Sequence, residues 1–199
     1  MKQRLVAFLV AVGLGCSCGS VEAKTYSIVS GTAATQGQVY GTVAIVDKGT
    51  SDIVCSGTLI APQVVVSAAH CFYELDTGWM AKAKNFEVIT DTLKLAQAKS
   101  SNRYSLTAIL VHKSYTDSKP TDSTGLGKDN DISLVLLSSA VDELTPILLL
   151  PPELFQSAFT VGRTYVVAGY GATSQSDWKA EYGTLYWGEV QFEKGNSYE

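Results

Sequence analysis

Cys55-Ser56-Gly57-Thr58-Leu59-Ile60-Ala61-Pro62-Gln63-Val64-Val65-Val66-Ser67-Ala68-Ala69-His70-Cys71 reads as two β-type runs, broken at Pro62-Gln63 and ended by a histidine between Ala69 and a second cysteine. Valine, isoleucine, leucine and threonine dominate both runs, and neither places its apolar residues at helical spacing. Strands are expected over Ile53 to Ile60 and Val64 to Ser67, with His70 just past the end of the second. Outward from this stretch the texture repeats: Thr42 to Val46, Phe86 to Thr90, Leu106 to Val111, Ile132 to Leu137, Tyr165 to Ala168 and Leu185 to Phe192 are short apolar runs separated by Gly, Ser, Asn and Asp. No convincing amphipathic helix interrupts them. Many short strands imply an all-β barrel or sandwich. Ser114 to Asn130 has almost no apolar residue and reads as a long exposed loop, and further breaks fall at Pro146 and Pro151-Pro152.

The composition admits this fold and closes off several functions. The chain has 199 residues, 46% of them hydrophobic and 17% charged, which is enough to bury a sizeable core in one or two domains. A net charge of -4 leaves no basic field to concentrate phosphates, so neither nucleic acid nor an anionic membrane surface is an expected partner. Residues 1-23 stand apart: Lys2 and Arg4 precede an apolar stretch from Leu5 to Leu14, the pattern of a secretory signal peptide. The stretch is shorter than the roughly 20 residues of a membrane span. Val21-Glu22-Ala23 offers the small residues that a signal peptidase cut after Ala23 requires. Leu14-Gly15-Cys16 resembles a bacterial lipobox, so a lipid anchor at Cys16 and a place at the cell envelope is the alternative to a secreted, soluble chain.

A cut after Ala23 removes Cys16 and Cys18 and leaves Cys55 and Cys71. Two cysteines in an oxidising compartment form a disulfide by default, closing a loop worth about 3 kcal/mol in the chain-entropy account, against the alternative of two buried free thiols. His70 taken alone is open as well, since a histidine beside a cysteine is more often a packed or surface residue than a catalyst. A zinc site from His70, His112 and an aspartate lacks closed tetrahedral spacing, and Asp117, Asp122 and Asp129 lack the spaced ligands of a calcium loop. No metal and no cofactor is expected.

In their order along the chain, five motifs resemble the trypsin/chymotrypsin-like serine proteases, peptidase S1 in type. They are Ile28-Val29-Ser30-Gly31-Thr32-Ala33, the stretch from Cys55 through His70-Cys71, His112-Lys113-Ser114-Tyr115, Asp129-Asn130-Asp131-Ile132-Ser133-Leu134, and Val167-Ala168-Gly169-Tyr170-Gly171-Ala172. The resemblance runs from Ile28 to about Phe192 and implies a double β-barrel of short antiparallel strands. It divides the chain into a leader over 1-23, a short pro-stub over 24-27, a first barrel over 28-146 and a partial second barrel over 147-199. Leu185 to Phe192 is then the second strand of that second barrel and is expected to leave an open edge, a liability for aggregation.

The chemistry of the family explains the residue types. A serine hydroxyl needs a base whose pKa lies near neutrality, and that base needs a carboxylate to hold its tautomer. The resemblance makes His70 the base and Asp131, directly before Ile132-Ser133-Leu134, the orienting carboxylate; Asp129 is the competitor and is expected in solvent. Cys55 and Cys71 become a disulfide flanking the histidine turn, Ile28 the mature amino terminus and His112 a structural residue.

Two departures accompany these matches. Ile28 follows Ser27 where the family's activating cut follows Lys or Arg, so another protease would have to trim the stub. The family's nucleophile sits in Gly-Asp-Ser-Gly-Gly, which is absent here, and Gly195-Asn196-Ser197 lies too close to Gly171 and continues as Tyr198-Glu199. The sequence is therefore expected to stop short of the nucleophile, the oxyanion hole and the specificity pocket. The leading expectation is a secreted endopeptidase acting on polypeptides, of which these residues alone are inactive. The alternative is a catalytically inactive, protease-like protein-binding module.

Overall fold

A computed structural model of the chain describes residues 31–74, 77–117, 128–173 and 183–192. The leader, Ala23, the stub, Ile28 and Ser197 lie outside the described residues. Thirteen strands are assigned among them: β1 (Thr32–Ala33), β2 (Thr42–Asp47), β3 (Ile53–Ala61), β4 (Val64–Ser67), β5 (Tyr73–Glu74), β6 (Trp79–Met80), β7 (Phe86–Ile89), β8 (Arg103–Val111), β9 (Thr116–Asp117), β10 (Lys128–Asp129), β11 (Ser133–Leu137), β12 (Thr164–Gly169) and β13 (Tyr186–Gln191). Six of them close an antiparallel barrel in the order β11-β4-β3-β2-β7-β8, β11 pairing back onto β8. The fold is all-β and trypsin-like in its barrel.

Alternation along the strands fills the barrel. Val43 and Ile45, Phe86 and Val88, and Val135 and Leu137 point inward with Leu59, Val65, Phe72 and Leu106 and are buried. Strand β2 is apolar without alternation because it serves two cores. Its other face, Ala44 and Val46, packs with Ile89, Tyr170, Leu185 and Ala34 in a second cluster outside the barrel. Gly57 sits where the wall is tightest: a Cβ there would stand 2.6 Å from Val65 Cγ1 and 3.0 Å from the Val66 carbonyl oxygen.

Beyond the barrel the chain forms a three-stranded antiparallel sheet in the order β1-β13-β12. The expected open edge at Leu185 to Phe192 is therefore partly covered, since Thr32 pairs with Trp187 and Ala33 with Tyr186; the edge falls instead on β12. The expected loop from Ser114 to Asn130 begins and ends in a two-residue ladder of β9 with β10, a local pairing that its polar composition hides. The sequence also gives no sign of the β5–β6 hairpin, too short to show alternation. The one α-helix assigned among the described residues is the single turn Phe155–Ala158, which follows a 3₁₀ turn opened by Pro152. No helix of the described residues is long and apolar enough to cross a membrane.

Candidate active site

The site forms where two barrel strands end side by side. Strands β4 and β11 run antiparallel with Ser67 opposite Ser133, so the chain leaving β4 and the chain entering β11 meet at the same rim. Past Ser67 the backbone makes one 3₁₀ turn, Ala69–Cys71. Successive residues of such a turn point about 120° apart. Ala69, Cys71 and the following Phe72 are buried, and His70 is left facing out. Cys71 is bonded to Cys55 on β3, with Cα atoms 6.2 Å apart, and this disulfide anchors the end of the turn.

Asp131 meets His70 across this rim through both carboxylate oxygens. Oδ2 lies 2.7 Å from His70 Nδ1, and Oδ1 accepts the His70 backbone N–H at 2.9 Å. One bond orients the ring and the other fixes the backbone that carries it. With Asp131 ionised, Nδ1 holds the proton and the lone pair is left on Nε2. The side chains are 46% exposed for His70 and 22% for Asp131, so the ring faces solvent while the carboxylate is only partly covered.

Neighbouring hydroxyls hold the two strand ends together. Buried Ser133 donates from Oγ to the Ala68 carbonyl at 2.9 Å, and Ser67 Oγ donates to the Ser56 carbonyl at 3.0 Å. Tyr170, fully buried, donates its backbone N–H to Ser56 Oγ at 2.9 Å, and its hydroxyl donates to the Thr92 carbonyl at 2.7 Å. Burial, and then the negative charge of Asp91, push the Tyr170 phenol upward, so it stays a neutral donor.

Of the residues singled out in the sequence, His70, Asp131, Cys55 and Cys71 gather here. Asp129 pairs through its backbone with Thr116, and its side chain lies outside the described residues. His112 follows β8 directly, its N–H donating to the Ile132 carbonyl at 3.0 Å. A ring nitrogen of His70 and the sulfurs of Cys55 and Cys71 all fall within 4.8 Å of one another, but joined sulfurs offer no thiolate to a metal. Ser133 and Asn130 were not singled out as functional, although both stand inside the Asp-Asn-Asp-Ile-Ser-Leu motif; only the fold shows what their side chains reach.

A closed antiparallel barrel with a histidine and a carboxylate joined at its rim is the frame of the trypsin-like hydrolases. Comparison with known proteins agrees: the model of the family described as Trypsin matches residues 28–195, and the chain belongs to that family. It is 30% identical over 128 residues to the urokinase-type plasminogen activator of Gallus gallus, a match covering 62% of this chain and 28% of the relative. To kallikrein 1-related peptidase b21 of Mus musculus it is 28% identical over 129 residues, covering 63% of this chain and 45% of the relative. The matched stretch thus spans less than half the length of either relative.

Proposed function

We propose that these residues carry the general-base half of a secreted serine endopeptidase that cleaves polypeptides. The observation behind this reading is the double attachment of His70 to Asp131, through Nδ1 and through the backbone N–H. Nε2 accepts the proton of a serine hydroxyl as that oxygen attacks the scissile carbonyl. It then returns the proton to the leaving amine, while Asp131 stays ionised and stabilises the transient imidazolium. The nucleophilic serine and the oxyanion donors of this reading lie on polypeptide outside these 199 residues. Export is supported by the leader pattern ending at Ala23 and by the Cys55–Cys71 disulfide, a bond suited to an oxidising compartment. Removal of Lys24-Thr25-Tyr26-Ser27 by a second protease would free Ile28.

The test begins with the DNA beyond codon 199, where a downstream reading frame encoding Gly-Asp-Ser-Gly-Gly is expected. The product of that frame should hydrolyse a mixed fluorogenic peptide library, and His70→Ala should lower the rate by on the order of 10³-fold or more. Residues 24–199 alone should show no turnover, because removing a triad nucleophile costs about 10⁶ and the oxyanion donors are absent too. Turnover by residues 24–199 that disappears in His70→Ala would overturn the assignment of the nucleophile. Loss of His70 without effect on the longer product would overturn the reading as a whole.

A further inference from the structure

Asp131 is held on His70 by more than its own backbone, and the brace joins it to the segment from His112 to Tyr115. Asn130, immediately before it, has φ of 56°, in the left-handed region where Asn is the residue least penalised after glycine. From there its side-chain Nδ2 donates to the Ser114 carbonyl at 2.9 Å, and its own carbonyl accepts the Ile132 N–H at 2.7 Å. The latter bond spans two residues and puts Asp131 at the middle of a three-residue turn. Ser114 is in turn fixed. Its N–H donates to His112 Nδ1 at 3.2 Å, and the Tyr115 N–H closes the same turn onto the His112 carbonyl at 2.9 Å. The His112 N–H returns to the Ile132 carbonyl at 3.0 Å, so the two segments brace each other at both ends. The β9–β10 ladder pairs the adjoining residues of the same two segments, Thr116 with Asp129 and Asp117 with Lys128.

We infer that Asn130 is a positioning residue for Asp131, its side-chain amide locking the aspartate's turn to the His112–Tyr115 turn so that the carboxylate stays aimed at His70. The inference rests on the reading of His70 and Asp131 as a base and its orienter, and it adds a residue that touches neither the ring nor a substrate. Two properties of Asn130 are used, and substitution separates them. Asn130→Gly keeps access to the left-handed backbone and removes the amide, whereas Asn130→Ala removes both.

The experiment follows the His70 Nδ1 proton by low-field ¹H NMR in the full chain with ¹⁵N-labelled histidine. The wild-type chain should show a slowly exchanging Nδ1 proton in a strong hydrogen bond. Loss of one amide bond should raise its solvent exchange roughly three- to tenfold in Asn130→Gly, the range expected for one net hydrogen bond, and further in Asn130→Ala. Gln36→Ala is the matched control, since Gln36 Nε2 makes a comparable amide bond to Asp91 Oδ1 at 2.7 Å elsewhere. It should leave the His70 proton unchanged, with melting temperatures recorded for all variants to separate positioning from loss of fold. An Asn130→Gly chain with the wild-type proton signal and exchange rate overturns the inference, as does an equal effect of Gln36→Ala. Absence of any carboxylate-bound Nδ1 proton in the wild-type chain would instead overturn the reading of the site itself.

Discussion

At the scale of single residues, one constraint on the barrel is a missing side chain. Gly57 lies in β3 with φ outside the left-handed region, so its role is space rather than conformational freedom. A methyl group there would have to displace Val65 Cγ1, which is packed in the core, and the Val66 carbonyl oxygen, which belongs to the paired backbone. Gly57→Ala is expected to cost about 1–3 kcal/mol as an overpacked wall site. At roughly 2–4 °C per kcal/mol for a chain of this size, that lowers the melting temperature by about 2–12 °C. Among the described residues Gly171 has no atom within 4 Å of the corresponding Cβ position, and its φ is not strained, so Gly171→Ala serves as the control and should melt within about 2 °C of the wild type. Thermal unfolding followed by circular dichroism decides between them; equal melting temperatures for Gly57→Ala and the wild type would show that the wall can relax.

At the scale of elements, Glu143 ties three parts of the fold together. Its Oε1 accepts from Thr90 Oγ1 at 2.5 Å, just past β7, and its Oε2 from Tyr104 Oη at 2.7 Å on β8, while Glu143 itself lies in the segment that leaves β11. Partial burial pushes the Glu143 carboxyl up, but the bonds from the Thr90 and Tyr104 hydroxyls, with backbone N–H bonds, outweigh it and hold the group below the usual glutamate range. The phenol of Tyr104 is pushed up to about 12, by burial first and then by its bond to Glu143 and the nearby negative charge. A carboxyl depressed in the folded state stabilises the fold above its unfolded pKa and loses that contribution as pH falls through its folded value. For Tyr104 the order is reversed: its contribution is present below the unfolded pKa and fades as pH climbs toward 12. Glu143→Gln should therefore lower stability near neutral pH by less than about 1 kcal/mol, because the carboxyl is largely in water. The difference from the wild type should shrink as the pH falls from neutral to below the usual glutamate range and the folded carboxyl is protonated. Urea unfolding of both chains at the two pH values measures this, and a difference independent of pH would show that the clamp acts through shape alone.

At the scale of the whole molecule, the two halves are unequally covered. Consecutive strand residues face opposite sides of a sheet, and in β2 both sides are buried, by the barrel core and by the cluster around Tyr170. In β12, by contrast, the consecutive residues Val166 and Val167 are 59% and 39% exposed, and Val190 across the ladder on β13 is 45% exposed. The outer edge of β12 has no strand partner among the described residues. An apolar sheet with a free edge templates pairing with another chain. Residues 24–199 are expected to associate in the micromolar-to-millimolar range, and Val167→Lys to return them toward the monomer. Light scattering behind size-exclusion chromatography gives the answer; a wild-type chain that stays monomeric at high concentration would show that the exposed edge is harmless.

The sequence alone determined the strands of the barrel, because alternation of apolar residues is a local property and β2, β3, β4, β7, β8 and β11 each carry it or an unbroken β-branched run. It also determined the family, since the motifs around His70 and Asp131 are contiguous stretches that can be read without a fold. What it could not contain was the closing of the barrel, which depends on β11 pairing with β4 on one side and β8 on the other, two strands far from each other in the chain. The same pairing alone decided that both oxygens of Asp131 reach His70, and that Asn130 meets Ser114 across a loop whose composition reads only as polar. These are contacts between distant segments, and their geometry is set by strand register, which no local pattern of residue types records.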